Sequence, residues 1–359
     1  MIENRILSTR YRSDGKATVS LNELQRRYID EFLRDKRIQY DTLEHCPFCQ
    51  FTEFIIVAEK DRYGISLPTA LCKKCGLIFS HKQFRKDSHF IFYQEYYRKI
   101  YEGIENPSQD YILKTYLKNK ELEAIPKFLK RDDIVLEIGT GGGRNLLKFK
   151  TNEIKHFGFD FDKQYIDVGR NHRGLNLYYG GFPEIKAMSI KANYVLCLHV
   201  LEHTKDPVMF LSDIRDVMAD DAILNLQVPA TNFLLFGGGA TGIDLMGTLQ
   251  NAHNFLFDEV ILKYIGKLTG YQILSAMGGH FILQKTKKIP NIINEAKRSL
   301  NELNRGEKIY QYLQQIEKTL PLRRKLCFGP PRLSGHYVYY LAKPLSLIRK
   351  ILLYKFGII

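Results

Sequence analysis

The sequence predicts an α/β protein, in which a doubly wound, mostly parallel sheet follows a small cysteine-rich module and precedes a basic helical region. Short apolar segments alternate with amphipathic ones between residues 132 and 285, the pattern of a parallel sheet covered by helices. A glycine cluster follows the first of these apolar segments, and two C-x-x-C pairs stand ahead of it. From residue 281 onward, 16 Lys and Arg face 4 Asp and Glu, so most of the net charge of +14 belongs to the end of the chain.

The bulk composition is typical of a globular protein with a substantial core: 45% of the 359 residues are hydrophobic and 12% aromatic. The start of the chain does not predict a secretory signal, and no run of about 18 apolar residues predicts a membrane span. We therefore expect a cytoplasmic protein. In that compartment the six cysteines are expected to be metal ligands or free thiols rather than disulfides.

Three segments precede the predicted sheet. Residues 1–45 are predicted to be helical, with Ser20 and Glu23 forming a capping box at the start of the helix. Residues 46–85 are predicted to form a small ribbon whose apolar stretch 54–60 is a strand. Residues 86–129, rich in tyrosine, are predicted to be a helical connector.

Four cysteines in the ribbon have the spacing of a metal site. Two C-x-x-C pairs separated by 22 residues can close a tetrahedral four-thiolate zinc site, here Cys46, Cys49, Cys72 and Cys75. Four thiolates leave no open coordination position on zinc, so the predicted zinc is structural rather than catalytic. Cys197 lies in a predicted strand and is expected to be a core residue.

The predicted sheet domain covers residues 130–287. Its first five strands are expected within residues 134–139, 156–160, 175–179, 193–199 and 222–229, with helices between most of them. The glycine-rich stretch 232–250 is predicted to be a lid, and a helix is expected around 257–269. Two further strands, joined at Gly278 and Gly279, predict a hairpin and therefore an antiparallel last strand.

The glycine loop predicts a nucleotide-containing ligand. Gly139, Gly141 and Gly143 follow the first strand, as in loops that bring a cofactor to a helix N-terminus. Glu137 would repel a pyrophosphate there but suits a ligand that carries an ammonium group, such as S-adenosylmethionine. Asp160, at the end of the second strand, is well placed to accept hydrogen bonds from ribose hydroxyls. A tight turn in which Glu137 merely caps a helix is the structural alternative.

Residues 132–285 resemble the class I S-adenosylmethionine-dependent methyltransferases, through "VLEIGTGGG", "GFD", "LHVLEHTKDPVMFL" and the terminal hairpin. The resemblance implies a Rossmann-like, seven-stranded sheet with an antiparallel last strand. It also implies that Glu137 and the glycine loop hold the methionine end and that Asp160 holds the ribose. The family often has an acid after the third strand that contacts adenine. Gly181 and Phe182 stand here instead, so backbone groups and Phe182 are expected to hold the adenine.

The ribbon and connector indicate a class of acceptor. "CKKCGLIFS" and "YYRKIY" look like the ribbon and connector of methyltransferases that act on nucleotide-linked sugars and surface polysaccharides. Ribosomal-RNA guanine methyltransferases with a zinc module usually include histidine among the ligands. The ribbon also has few basic residues near Phe48 and Phe51, so RNA stacking is weakly supported. A nucleotide- or lipid-linked sugar is therefore the predicted acceptor, and an RNA methyltransferase or RNA-binding methyltransferase-like protein remains the alternative.

Histidines after the fourth strand are the predicted catalytic groups. A sugar hydroxyl needs a base near neutral pKa as it attacks the sulfonium methyl. His199 ends that strand, Glu202 and His203 follow in the turn, and His253 comes after the predicted lid. His199 is also expected to contact the cofactor, whereas the Glu202–His203 pair often only braces the loop in the family. Sugar C-methyltransferases have a Tyr-x-Glu-His segment where this chain has Gln250 to His253, which favours O- or N-transfer over C-transfer.

The basic end of the chain, residues 288–359, is predicted to be helical. Its charge is typical of a contact with a phosphate-rich partner, such as RNA, an anionic membrane or a lipid-linked sugar, or of a solvated helical face. The amphipathic segment within 340–359 is predicted either to lie on the inner face of an anionic membrane or to dock onto the catalytic domain.

Overall fold

The computed structural model describes residues 2–114, 125–231, 244–277, 279–286 and 304–328. Most of the predicted lid, the turn residue Gly278 and the predicted membrane-contacting segment 340–359 lie outside these residues. Within the described part of the chain, none of the helices has the length and apolar character needed to cross a membrane.

Strands and helices alternate along most of the described chain. The strands are β1 Ile2–Asn4, β2 Tyr40–Thr42, β3 Phe54–Lys60, β4 Ser66–Cys72, β5 Ile78–Ser80, β6 Lys82–Phe84, β7 Ile134–Ile138, β8 Lys155–Asp160, β9 Leu177–Tyr179, β10 Ala192–Leu198, β11 Met218–Gln227, β12 Phe255–Leu256, β13 Tyr271–Met277 and β14 His280–Lys285. The helices are α1 Glu23–Arg34, α2 Lys86–Ile91, α3 Tyr97–Tyr101, α4 Gln109–Lys114, α5 Leu147–Thr151, α6 Lys163–Arg173, α7 Phe182–Ala187, α8 Pro207–Val217, α9 Leu245–Thr248, α10 Glu259–Leu268 and α11 Gly306–Phe328. A π-helical turn, Phe92–Tyr96, joins α2 to α3, and short 3-10 turns cover Arg144–Leu146 and Leu201–His203.

The described residues form two compact units. Unit 1 contains residues 2–92, 229–231, 244–262 and 304–328. Unit 2 contains residues 93–114, 125–228, 263–277 and 279–286. The domain boundaries proposed from the sequence stay predictions.

Unit 2 is built on a seven-stranded sheet with the strand order β13-β14-β11-β10-β7-β8-β9. Strands β7 to β11 pair in parallel, whereas β14 is antiparallel to both β11 and β13. This arrangement confirms the predicted Rossmann-like sheet with its antiparallel last strand. The central strands β7 and β10 are almost wholly buried, as expected for parallel strands covered by helices on both faces.

The core of unit 2 lies between this sheet and its helices. Its apolar cluster includes Phe149 of α5 and Ile166 of α6, which therefore bury one face of each helix against the strands. The remaining buried members of the cluster are Val135, Leu146, Ile154, Leu175, Leu177, Tyr194, Leu196 and Ile223.

Unit 1 contains a five-stranded sheet in the order β1-β3-β4-β5-β12 and a two-stranded sheet of β2 and β6. The antiparallel pair β3–β4 is the ribbon hairpin, and β3 spans the stretch 54–60 predicted as a strand. Two strands come from distant parts of the chain, because β1 pairs in parallel with β3 and β12 pairs antiparallel with β5.

Helix α11 supplies much of the apolar core of unit 1. Five of its residues belong to one buried cluster with the ribbon strands and α9: Ile309, Tyr310, Tyr312, Leu313 and Ile316. An ion network fastens the same helix to the start of the chain, since Arg10 contacts Glu317 at 2.6 Å and Asp244 at 3.0 Å.

The first 45 residues differ from the predicted helical segment. Helix α1 is present, but its capping box is formed by Asn22 and Gln25 rather than by Ser20 and Glu23. The Gln25 amide donates to Asn22 Oδ1 at 2.8 Å, and the Asn22 amide donates to Gln25 Oε1 at 3.0 Å. Asparagine caps as well as serine does, so two nearby capping patterns compete and the helix begins at the second. The segment also contains the strands β1 and β2.

Candidate functional site

The candidate site of unit 2 lies at the carboxyl edge of its sheet. Strand β7 pairs with β8 on one side and with β10 on the other, so the chain connections diverge at this point. Ligands of open α/β sheets bind at such a switch point. Glu137 of β7 lies opposite Gly158 of β8 and Leu196 of β10 in the strand register. Glu137, Asp160 and His199 all lie at or just after the ends of these strands.

The glycine loop has a backbone that only glycine adopts at low cost. Gly139, Gly141 and Gly143 have φ angles of +74°, +50° and +74°. A Cβ on Gly139 would also lie 2.4 Å from Cγ2 of Val200, which begins the turn after His199. The loop can therefore pass close to the neighbouring strand end.

Glu137 is buried and held by two side chains of the same loop region. Thr140 Oγ1 donates to one carboxylate oxygen at 2.8 Å, and Asn145 Nδ2 donates to the other at 2.6 Å. Burial raises the pKa of Glu137 to about 7, although these two hydrogen bonds oppose the rise. A nearby cation such as an ammonium group would therefore favour the charged form of this glutamate.

Asp160 closes the opposite side of the loop. Its Oδ2 accepts a hydrogen bond from the Gly141 amide at 2.8 Å, and its Oδ1 accepts one from the Asp162 amide at 2.9 Å. Burial raises the pKa of Asp160, against the effect of these hydrogen bonds. A carboxylate offers about four lone-pair sites, so both oxygens keep acceptor capacity for hydroxyl groups.

Aromatic rings flank the predicted adenine region. Phe182, which begins α7, has its ring 5.2 Å from that of Phe210 in a T-shaped contact. Phe161, directly after Asp160, is 58% exposed and lies 6.2 Å from the ring of Tyr179. Phe182 was predicted from the sequence but Phe161 was not, although its position directly after Asp160 was a usable signal.

The turn after β10 places an exposed imidazole beside a buried carboxylate. His199 has a left-handed backbone (φ +57°), and its amide donates to the carbonyl of Gln227 at 2.7 Å. Its side chain is 55% exposed, and Nδ1 lies 3.5 Å from Oε1 of Glu202, whose side chain is only 1% exposed. Burial lowers the pKa of His199, but the charge of Glu202 outweighs it and the net shift is upward. His203 Nε2 lies 3.8 Å from the same carboxylate oxygen.

The tyrosine-rich connector contacts both loops of this edge. Tyr93 and His203 are joined by a 2.7 Å hydrogen bond between the hydroxyl and Nδ1. Gln94 Nε2 donates to the carbonyl of Phe161 at 3.3 Å, and Arg98 forms an ion pair with Asp162. Residues 86–129 were predicted to be a helical connector, and none of them was predicted to belong to the site.

His253 belongs to unit 1 and is held by its own segment. Nδ1 lies 2.9 Å from the carbonyl oxygen of Thr248, and Nε2 lies 2.5 Å from Nε2 of Gln250. Since a carbonyl only accepts, Nδ1 carries the proton, and Nε2 accepts from the amide of Gln250. Its role as the base stays a prediction.

The four ribbon cysteines form one cluster. Their sulfur atoms all lie within 4.8 Å of one another, with 3.6 Å between Cys46 and Cys75 and 3.5 Å between Cys49 and Cys72. A tetrahedral site with metal–sulfur bonds of about 2.3 Å separates its sulfurs by about 3.8 Å, whereas a disulfide requires about 2.05 Å. The spacing therefore fits four thiolates around one metal ion.

The two C-x-x-C turns share one backbone pattern. The Cys46 amide donates to the carbonyl of Phe51 at 2.8 Å, and the Cys72 amide donates to that of Leu77 at 2.9 Å. Each cysteine carbonyl then accepts from the amide four residues later, at 2.9 Å and 3.0 Å. Each turn thus holds its two sulfurs on one side before any metal binds.

Comparison with known proteins assigns the domain. Residues 111–276 match a family described as "Methyltransferase domain". Among solved structures, the chain is similar to a methyltransferase in complex with the Haloferax volcanii Trm112 methyltransferase activator, at 14% identity over 44% of this chain and 68% of that one, with a TM-score of 0.36. It is also similar to an S-adenosylmethionine-dependent methyltransferase from Methanosarcina mazei, at 14% identity over 45% and 96% of the two chains, with a TM-score of 0.35. For an O-methyltransferase family protein from Burkholderia thailandensis the identity is 11% over 46% and 55%, with a TM-score of 0.38.

The family match, the seven-stranded sheet and the glycine loop define a Rossmann-like methyltransferase domain. The chain therefore carries an S-adenosylmethionine-dependent methyltransferase domain, matched over residues 111–276.

The residues of the sheet edge fit this cofactor. The left-handed glycine loop lies close to the neighbouring strand end, Glu137 suits the ammonium group, and Asp160 keeps acceptor capacity for the ribose hydroxyls. The cofactor supplies an electrophilic methyl group on a sulfonium. The remaining work of the chain is to bind the cofactor, orient the acceptor and accept a proton.

Replacing Asp160 with alanine is expected to weaken S-adenosylmethionine binding by about 1–3 kcal/mol, because charged hydrogen bonds to the ribose are lost. Isothermal titration calorimetry measures the change. Asp167→Ala is the matched control, since Asp167 lies on the exposed side of α6 in an ion pair with Lys163 and should bind the cofactor normally. NAD binding by the wild-type protein without S-adenosylmethionine binding would contradict the assignment of the loop.

Proposed function

We propose that this enzyme transfers its methyl group to a hydroxyl, or an amine, of a nucleotide- or lipid-linked sugar in polysaccharide biosynthesis. The observation that carries the proposal is the His199–Glu202 pair, in which an exposed imidazole lies 3.5 Å from a buried carboxylate. A sugar hydroxyl is a poor nucleophile until a base removes its proton, and a histidine supported by a carboxylate supplies that base near neutral pH. His199 Nε2 would take the proton as the new carbon–oxygen bond forms and the carbon–sulfur bond breaks.

The surface of the ribbon favours a sugar over RNA. A protein that grips RNA needs basic side chains available for phosphates. Lys73, in the second C-x-x-C turn, is instead paired with Glu3 at 2.5 Å and Glu53 at 3.3 Å. Nearby Arg5 contacts Glu307 at 2.7 Å. Carboxylates thus neutralise these two basic groups.

The proposal includes one structural zinc ion held by Cys46, Cys49, Cys72 and Cys75. Four converging thiolates are a common zinc ligand set, and they leave no position for a substrate. A cytoplasmic location, and membrane contact through residues 340–359 for a lipid-linked acceptor, belong to the same proposal.

An acceptor screen tests the function. The full-length protein is incubated with methyl-labelled S-adenosylmethionine and three pools: nucleotide sugars, lipid-linked sugars, and total RNA. Label is expected in a sugar fraction and should be released with the sugar. Label in RNA, with activity that falls steeply as salt rises, would replace the proposal with the RNA alternative.

A further inference from the structure

A chain of four side chains in unit 2 links the connector to the exposed His199. The Tyr93 hydroxyl lies 2.7 Å from His203 Nδ1, and His203 Nε2 lies 3.8 Å from Glu202 Oε1. The same carboxylate oxygen lies 3.5 Å from His199 Nδ1. The side chains of Glu202 and His203 are 1% and 14% exposed, whereas that of His199 is 55% exposed. The series of side chains therefore reaches the surface at His199.

The backbone and the neighbouring rings hold this chain in place. Tyr93 lies in the π-helical turn Phe92–Tyr96, a distortion that is frequent at functional sites. The imidazole of His203 makes T-shaped contacts with two rings, 6.0 Å from Tyr93 and 5.9 Å from Tyr97. The ring of His203 therefore has little freedom to turn away from Glu202.

We propose that Tyr93 is a positioning residue for methyl transfer, which acts through His203 to keep Glu202 aimed at His199. The proposal rests on the proposed function, in which His199 is the base. Two side chains, His203 and Glu202, separate Tyr93 from His199, which takes the proton.

The proton arrangement follows from the donors present. A tyrosine hydroxyl that donates to His203 Nδ1 leaves the ring proton on Nε2, the nitrogen that faces Glu202. Glu202 Oε1 then faces the Nε2–H of His203 at 3.8 Å on one side and His199 Nδ1 at 3.5 Å on the other. When the acceptor hydroxyl gives its proton to His199 Nε2, the resulting imidazolium lies beside the Glu202 carboxylate, and no further proton has to move.

The other titratable groups near Glu202 support this arrangement. Burial, and then the charge of Glu202, hold the pKa of Tyr93 well above its usual range, so its hydroxyl stays a donor. Cys197 of β10 is buried, and Glu202 adds to the rise in the pKa of its thiol, which therefore stays neutral. For His199, the pKa is raised because Glu202 outweighs burial.

The test is the titration of His199 itself, followed by NMR of the ring carbon-bound protons in histidine-labelled full-length protein. The chain has 10 histidines, and a His199→Gln spectrum assigns the signal. Loss of the Tyr93 hydroxyl lets His203 become a cation that competes for Glu202, or lets the ring proton move to Nδ1, so that an unprotonated Nε2 faces the carboxylate. Both outcomes weaken the interaction of Glu202 with the His199 imidazole. Tyr93→Phe is therefore expected to move the His199 midpoint to lower pH, in the direction of Glu202→Gln and by a smaller amount.

Tyr178→Phe is the matched control. Tyr178 lies on β9 of the same unit, with its ring 5.3 Å from that of Phe159, and its loss of a hydroxyl should leave the His199 midpoint unchanged. His203→Gln breaks the same link at the next residue and replaces Tyr93→Phe if that variant does not fold, with the same expected direction.

A His199 midpoint in folded Tyr93→Phe that equals the control, or that moves to higher pH, overturns the proposal. The titration needs no acceptor, so its outcome is independent of the acceptor screen. If the His199 midpoint shifts in Tyr93→Phe but no sugar is methylated, the role of Tyr93 stands and the sugar acceptor is rejected.

Discussion

Replacing Cys72 with serine is expected to remove the metal and to unfold the ribbon together with helix α11. Wild-type protein should contain about one zinc per chain, and the variant should contain little. Structural zinc sites of this kind contribute about 10–16 kcal/mol of binding free energy, as much as the whole stability of a typical domain. Loss of the zinc is therefore expected to destabilise more of the ribbon than the four cysteines.

The second C-x-x-C turn, Cys72 to Cys75, is hydrogen-bonded to the start of helix α11. The Gly306 amide donates to the carbonyl of Lys73 at 2.9 Å, and Arg305 donates to the carbonyl of Cys75 at 3.3 Å. The Arg305 guanidinium also forms a buried ion pair with Asp258 at 2.6 Å. The start of α11 therefore depends on the shape of a turn that the metal is proposed to hold.

Elemental analysis measures the zinc content, and hydrogen–deuterium exchange measures the protection of the ribbon and α11. Exchange should accelerate over residues 46–84 and 306–320 in Cys72→Ser. Cys197→Ala is the control, since Cys197 is buried in unit 2 and its loss should leave the zinc content unchanged. Full zinc content in Cys72→Ser, with wild-type protection of α11, would contradict both the ligand set and the coupling.

The parts that sequence predicted depend on local patterns. The buried run before Gly139, the strand ending at Asp160 and the hairpin of β13 and β14 each carry their own periodicity, and together they specified the sheet. The four cysteines are equally local, because the C-x-x-C spacing itself brings two sulfurs to one side of a turn.

The parts that sequence missed are long-range contacts. Tyr93 and His203 are separated by 110 positions, and periodicity carries no information on such a pairing. The same holds for β12, which joins the ribbon sheet although it follows the predicted lid, and for β1. The start of α1 was misplaced for a different reason, because Ser20 and Asn22 are both good caps and only packing selects between them.

The contacts of the two candidate bases favour His199 over His253. Both ring nitrogens of His253 have partners within its own segment, at Thr248 and Gln250. His199 has a supporting carboxylate at Nδ1 and an exposed ring, so Nε2 is the nitrogen that can take a proton from an acceptor. A base needs one nitrogen for support and one for the incoming proton.

Replacing His199 with asparagine is expected to lower the single-turnover methylation rate by about 10²–10⁴-fold, with the affinity for S-adenosylmethionine nearly unchanged. Asparagine is chosen because His199 has φ of +57°, a conformation that asparagine tolerates and alanine does not. The loss then reports the missing base rather than a strained turn. Rapid quench with the acceptor found in the screen measures the rate, and calorimetry measures the cofactor affinity.

The pH dependence identifies the group independently. The wild-type rate should rise with pH as His199 loses its proton. Because Glu202 raises the pKa of His199, the midpoint should lie above the ordinary histidine value of about 6.5. The rate of His199→Asn should lack this rise with pH. His172→Asn is the control and should keep the rise, because His172 lies on the exposed side of α6 with Nδ1 2.9 Å from Gln109. If His199→Asn retains the rise and His253→Asn loses it, His253 is the base, and the His199–Glu202 pair serves to position the acceptor.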